Sequence, residues 1–105
     1  MLLSKPKFEA GDVISLKLTT GEEVIGKFVS EDISELVLSK PVMLAMGQKG
    51  PAMAPIMMTV DPDKDYAINK NVIVLKELTD KNIADQYIFQ TTGIQPVSAG
   101  GIVTG

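Results

Sequence analysis

The residues of this chain that could do chemistry are acids, lysines and amides. Glu22-Glu23 and Glu31-Asp32 are paired carboxylates, an arrangement that serves acid–base catalysis when a pocket drives the two pKa values apart. Both pairs fall at turns or strand ends, so a solvated edge is the expected reading. Asp61, Asp63 and Asp65 in "DPDKD" have the alternate spacing of an oxygen-rich calcium loop. Tyr66 stands where that loop needs Gly, and Val72 where it needs a bidentate Glu. Asp-Pro-Asp is good turn chemistry, so a turn is expected here. The chain has no His, Cys or Trp, and all ten basic residues are Lys. Imidazole and thiolate triads are excluded, as are the usual zinc sites. The expectation is a protein that is not an enzyme and has no cofactor and no metal.

The elements that would position these residues belong to one domain of 105 residues. A net charge of −3 disfavours broad attraction to nucleic acid but leaves room for a local basic patch. Absence of Cys fits a reducing compartment. The N-terminus lacks an apolar run long enough for a signal peptide, and no window approaches the ~20 apolar residues of a membrane span. A cytoplasmic protein without membrane contact is expected.

Residues 1–11 read as a loose lead-in. In 12–19, Ile14, Leu16 and Leu18 alternate with Ser15, Lys17 and Thr19, which predicts a strand with one buried face. Gly21 makes a tight turn into a second strand, 23–31, where Gly26 predicts a bend or bulge. A third strand is expected over 36–46, with Pro41 at an edge or bulge. A hairpin loop at 47–51 leads to a fourth strand over 52–60, and a fifth spans 66–78. Lys17, Lys27 and Lys40 are expected to guard strand edges. Thr79 or Asp80 is a plausible N-cap, Ile83, Ala84, Tyr87 and Ile88 recur at helical spacing, and Gly93 is a natural stop. A short amphipathic helix is therefore predicted over 80–92. The Gly-rich tail, 94–105, is expected to be mobile. The fold class expected is mainly β: a small, five-stranded, strongly bent open barrel with a short C-terminal helix.

"DVISLKLTTGEEVIGKFVSEDISELVL" resembles the first motif of the Sm-like family, with Gly21, Gly26 and Asp32 at the family spacing and Leu36-Val37-Leu38 following. Ala67 to Leu75, an apolar strand, a polar kink and a second apolar strand, is similar to the second motif. The resemblance covers residues 12 to 78 and is to divergent members of viral or bacterial type, phage proteins included. It implies a homo-oligomeric ring of five to seven copies, closed head-to-tail between the fourth and fifth strands of neighbours. It also implies single-stranded RNA as partner, at Asp32, Ser34 and Glu35 of one loop and Asn69, Lys70 and Asn71 of another. Asn would meet base edges and Lys70 a phosphate. The chain departs from the family pattern in five places: the loop after Asp32 is one residue shorter than usual, the usual N-terminal helix is absent or only weakly encoded, and three differences concern residue types. Glu35 replaces an Asn, Asn69-Lys70 replaces Arg-Gly, and no aromatic or His lies between Asp32 and Leu36. These departures favour an alternative, a structural or protein-interaction module.

Five of six methionines lie in "VMLAMGQKGPAMAPIMMTV", residues 42–60. Met can fill an irregular core, line a peptide groove or pack between subunits. A fourth strand would carry Met53, Pro55 and Met57 on one face and Ile56, Met58 and Val60 on the other. A barrel this small cannot bury both rows, so one is expected to meet a neighbour. The expected subunit interface is Met53, Ile56, Met57, Met58 and Val60, facing Val72, Ile73 and Val74 of the next copy.

Overall fold

The computed structural model describes residues 7–93; the expected tail at 94–105 lies outside them. The chain is mainly β, with six strands in one open antiparallel sheet and one C-terminal helix. The strands are β1 (Val13–Leu18), β2 (Glu23–Glu31), β3 (Glu35–Gly47), β4 (Gly50–Pro55), β5 (Asp65–Asn69) and β6 (Ile73–Leu78), and the helix is α1 (Lys81–Thr92). Hydrogen-bonded order runs β4-β3-β2-β1-β6, and β5 also pairs with β3.

The bend depends on Gly26. Opposite it β3 carries two residues, Lys40 and Pro41, because the register passes from Ile25↔Val42 to Lys27↔Ser39. This is a bulge, and Lys40 has a φ of 51°, rare for a side-chain-bearing residue. A Cβ on Gly26 would lie 3.0 Å from both Cβ and Cδ1 of Leu38, so only Gly allows this approach. The kink divides the outer edge of β3. Glu35–Ser39 pairs with β5, and Val42–Gly47 pairs with β4.

The curled sheet encloses Ile14 and Leu16 of β1, Val24 and Phe28 of β2, and Leu36 and Leu38 of β3. Phe8 completes this core, with its ring centroid 5.6 Å from that of Phe28. The expected loose lead-in is therefore packed where it is described: Phe8 is buried, and the Gly11 N–H donates to the Phe28 carbonyl at 2.9 Å. A single aromatic has no periodicity, so its burial left no pattern in the sequence.

Two strands end or divide where the expectation did not place it. β4 stops at Pro55, and 56–60 is irregular chain. The 66–78 stretch is two strands joined by a 3₁₀ turn, η1 (Lys70–Val72), so the count is six where five were expected. Asn69 caps the turn by accepting from the Asn71 N–H at 2.8 Å, and this competes with continued strand.

Helix α1 starts at Asp80, whose carboxylate accepts from the Asn82 N–H at 3.1 Å, and ends at Gly93 with a φ of 75°. Its anchor is Tyr87, fully buried, whose hydroxyl lies 2.8 Å from the Lys40 carbonyl and 3.0 Å from that of Ser39. The helix thus supplies a buried donor to the backbone at the β3 kink.

Candidate functional site

The two loops singled out in the sequence lie together. The loop joining β2 to β3 meets η1 through the Lys70 N–H, which donates to the Ser34 carbonyl at 2.8 Å. The pairing continues as Glu35↔Asn69 and Leu36↔Ile68. Asp32, Ser34, Glu35, Asn69, Lys70 and Asn71 therefore lie in two adjoining segments.

Much of this loop pair is committed to its own shape. Asp32 Oδ1 accepts from the N–H groups of Ser34 and Glu35, both at 2.8 Å, and from the Ser34 hydroxyl at 3.2 Å. These donors hold the Asp32 carboxyl below its ordinary pKa, the Ser34 N–H having the largest effect. Asn69 is occupied by its cap. Ile33, at the loop tip, is 94% exposed.

Lys70 is not free. Its ammonium lies 2.8 Å from Glu31 Oε1, and Lys76 of β6 lies 2.9 Å from the same oxygen. The Lys70 hydrogen bond is the largest influence lowering the Glu31 pKa, opposed by partial burial and reinforced by Lys76. Glu31 was expected on a solvated edge; it is instead the centre of a cluster joining β2, η1 and β6. Lys76 went unmarked in the sequence, because 45 residues separate it from Glu31 and no local spacing announces such a pair.

The acidic turn is closed by its own hydrogen bonds, as turn chemistry predicts. Asp61 Oδ1 accepts from the Asp63 N–H at 2.9 Å, and the Tyr66 hydroxyl donates to the Asp61 carbonyl. Among the described residues no three acidic side chains converge to hold a cation, and no helix is long and apolar enough to cross a membrane.

The expected interface residues separate into three groups. Met53 is half-buried on β4. Ile56 and Val60 are half-buried and, with Pro41, Pro55, Met57 and Ile68, border an apolar cavity of about 110 Å³ beside β5. Met57 and Met58 are exposed on irregular chain, so the two alternating rows drawn for a fourth strand over 52–60 do not exist beyond Pro55. Ile73 packs against the core, whereas Val72 and Val74 are exposed.

Three strands have one edge without a partner among the described residues: β4, β5 and β6. They are not equivalent. Pro51 and Pro55 hold register with β3, and a residue lacking an N–H is tolerated where the missing donor faces outward. The outer edge of β4 is therefore blunted. β5 and β6 contain no proline. Lys70 donates to Ser34 on the β3 side, so by alternation Asp65, Ala67 and Asn69 turn their backbone groups outward. Thr79 donates to Val13 on the β1 side, so Leu78 and Lys76 turn outward on β6, where side chains meet them: the Leu78 N–H donates to Glu77 Oε2 at 3.1 Å, and the Lys7 ammonium lies 3.5 Å from the Lys76 carbonyl.

The chain matches no protein-family model and no curated protein.

Proposed function

We propose that this chain is a non-enzymatic, Sm-like subunit that closes a homo-oligomeric ring by pairing the β5 edge of one copy with the β6 edge of the next. The ring presents the loop pair, 32–35 with 69–71, to single-stranded RNA. The observation that carries this reading is the pair of proline-free edges without a strand partner on opposite flanks of one sheet, beside a third edge blunted by prolines; on β6 a paired strand would displace only the side-chain bonds of Glu77 and Lys7. Two unlike edges of one chain make a heterologous contact, and repetition of such a contact closes a ring when the rotation permits. Val74, Leu75 and Leu78, exposed along β6, supply apolar area for the contact. Repeated loop pairs around a ring would add weak RNA contacts by avidity.

A second reading, a structural or protein-interaction module without RNA, is favoured by the pairing of Lys70 with Glu31. Light scattering tests assembly. A discrete oligomer of five to seven copies is expected, dissociated by Val74→Lys; a monomer at high concentration defeats the ring. Titration with U-rich and A-rich RNA at two salt concentrations tests the ligand. Binding at low salt that weakens in Lys70→Ala supports RNA, and no binding at low salt leaves the interaction module.

A further inference from the structure

Three separate elements send one charged group each to a single point. Glu31 ends β2, Lys70 opens η1 and Lys76 lies within β6, and both ammonium groups bond the same oxygen, Oε1. The other ion pairs among the described residues match one lysine to one acid: Lys7 with Glu77, Lys17 with Glu23, and Lys81 with Asp85. Here one carboxylate serves two cations, and Asp32, which feels the charge of Lys70, stands beside them. Two carboxylates and two ammonium groups cancel. The side chains of Glu31, Lys70 and Lys76 keep 22%, 28% and 35% of their exposure, so the cluster is open to solvent on one side.

We propose that Glu31 is a built-in competitor for phosphate: it holds Lys70 and Lys76 until a phosphodiester chain displaces it. The inference rests on the reading that the loop pair takes single-stranded RNA, and it adds Lys76 of β6 to the ligand face. Lysine suits such an exchange. Its ammonium is a point charge on a flexible stem, so moving from carboxylate to phosphate needs no bidentate geometry to be rebuilt. Both oxygens of the competitor stay on the protein, so the exchange is between partners of like charge and costs little desolvation. A neutral patch also fits an acidic chain, with net charge −3, that engages a polyanion only where two lysines can be released together.

The test is fluorescence anisotropy on the full chain, with a short oligouridylate and with linear polyphosphate, over a range of salt. Glu31→Gln keeps the shape and removes the competitor. It should tighten binding about tenfold at low salt and leave the log–log salt slope close to that of the wild type, because both lysines already meet phosphate in the wild-type complex. Glu9→Gln removes the same charge from a residue that forms no ion pair among the described residues, and it should bind as the wild type does. An equal gain in both variants, or none in Glu31→Gln, overturns the proposal. Lys76→Ala, in the wild-type background, should lower the salt slope by about 0.7. An unchanged slope there overturns the proposal even if Glu31→Gln fails to fold. If oligouridylate binds the wild type and Glu31→Gln gains nothing, the competitor fails and the RNA reading stands. If neither protein binds oligouridylate but Glu31→Gln gains on polyphosphate, the competitor stands and the RNA reading fails.

Discussion

The two halves of β3 share one strand and have opposite fates. Leu36 and Leu38 of the first half are fully buried, while Leu44 is half-exposed and Met46 of the second half is 80% exposed. Both halves are apolar; the first is paired with β2 and β5, and the second with β4 along its length but with β2 only at Val42, Met43 and Leu44. The difference lies above the sheet. The first half curls over Ile14, Leu16 and Phe28, with Phe8 filling the end. The second half runs past the kink at Lys40 as a hairpin, beyond the reach of the core. An apolar strand pattern therefore specifies pairing and a face, but burial needs a second layer to close over that face.

That contrast can be broken by mutation. Leu38→Ala should have the largest effect, a loss of about 2–5 kcal/mol in urea unfolding, because the side chain packs against Gly26 in a core that cannot collapse around the gap. A loss as small as that of a hairpin residue would refute the division. Tyr87→Phe comes next. It leaves the kink carbonyls of Ser39 and Lys40 without their buried donor and should cost about 1–3 kcal/mol near neutral pH. Burial also pushes the Tyr87 phenol up from 10.0 to about 12. The neutral phenol is favoured in the folded chain, so its contribution is complete below pH 10 and is lost as pH rises from there towards 12. Alkaline unfolding followed by far-ultraviolet circular dichroism should therefore be less steep in pH for Tyr87→Phe; an identical pH dependence would detach Tyr87 from the alkaline transition. The smallest effect is expected at the hairpin. Met46→Lys should alter folding stability by less than about 0.5 kcal/mol, since an exposed side chain surrenders little buried area. A larger loss would mean that the second half of β3 is covered after all.

Legibility in the sequence followed the range of the interaction. The turn at Gly21, the bulge at Gly26, the alternation of Ile14 and Leu16, and α1 with Asp80 and Gly93 at its ends all depend on neighbours a few residues away. Each was visible as spacing. The end of β4 at Pro55 was not, because apolar residues continued past it, whereas the break at η1 was legible as the polar kink at 69–71, though not as the end of one strand and the start of another. On the candidate ligand face, the six residues of the two loops were legible as polar interruptions. Their meeting was not, since it rests on a hydrogen bond between Lys70 and Ser34. Glu31 was legible only as one acid of a pair, and its binding of Lys70 and Lys76 had no local sign.

The sequence by itself determined the chemical repertoire, a set of acids, amides and lysines without imidazole, thiol or guanidinium, and the local rhythm of strands, turns and one capped helix. Composition is absolute, and periodicity follows from the two-residue repeat of a strand and the 3.6-residue repeat of a helix. Tertiary structure alone decided that Phe8 belongs to the core, that β4, β5 and β6 each keep one edge without a strand partner, and that Glu31 holds two lysines. Each of these depends on groups far apart in the chain arriving at one place, and that arrival is a property of the folded sheet.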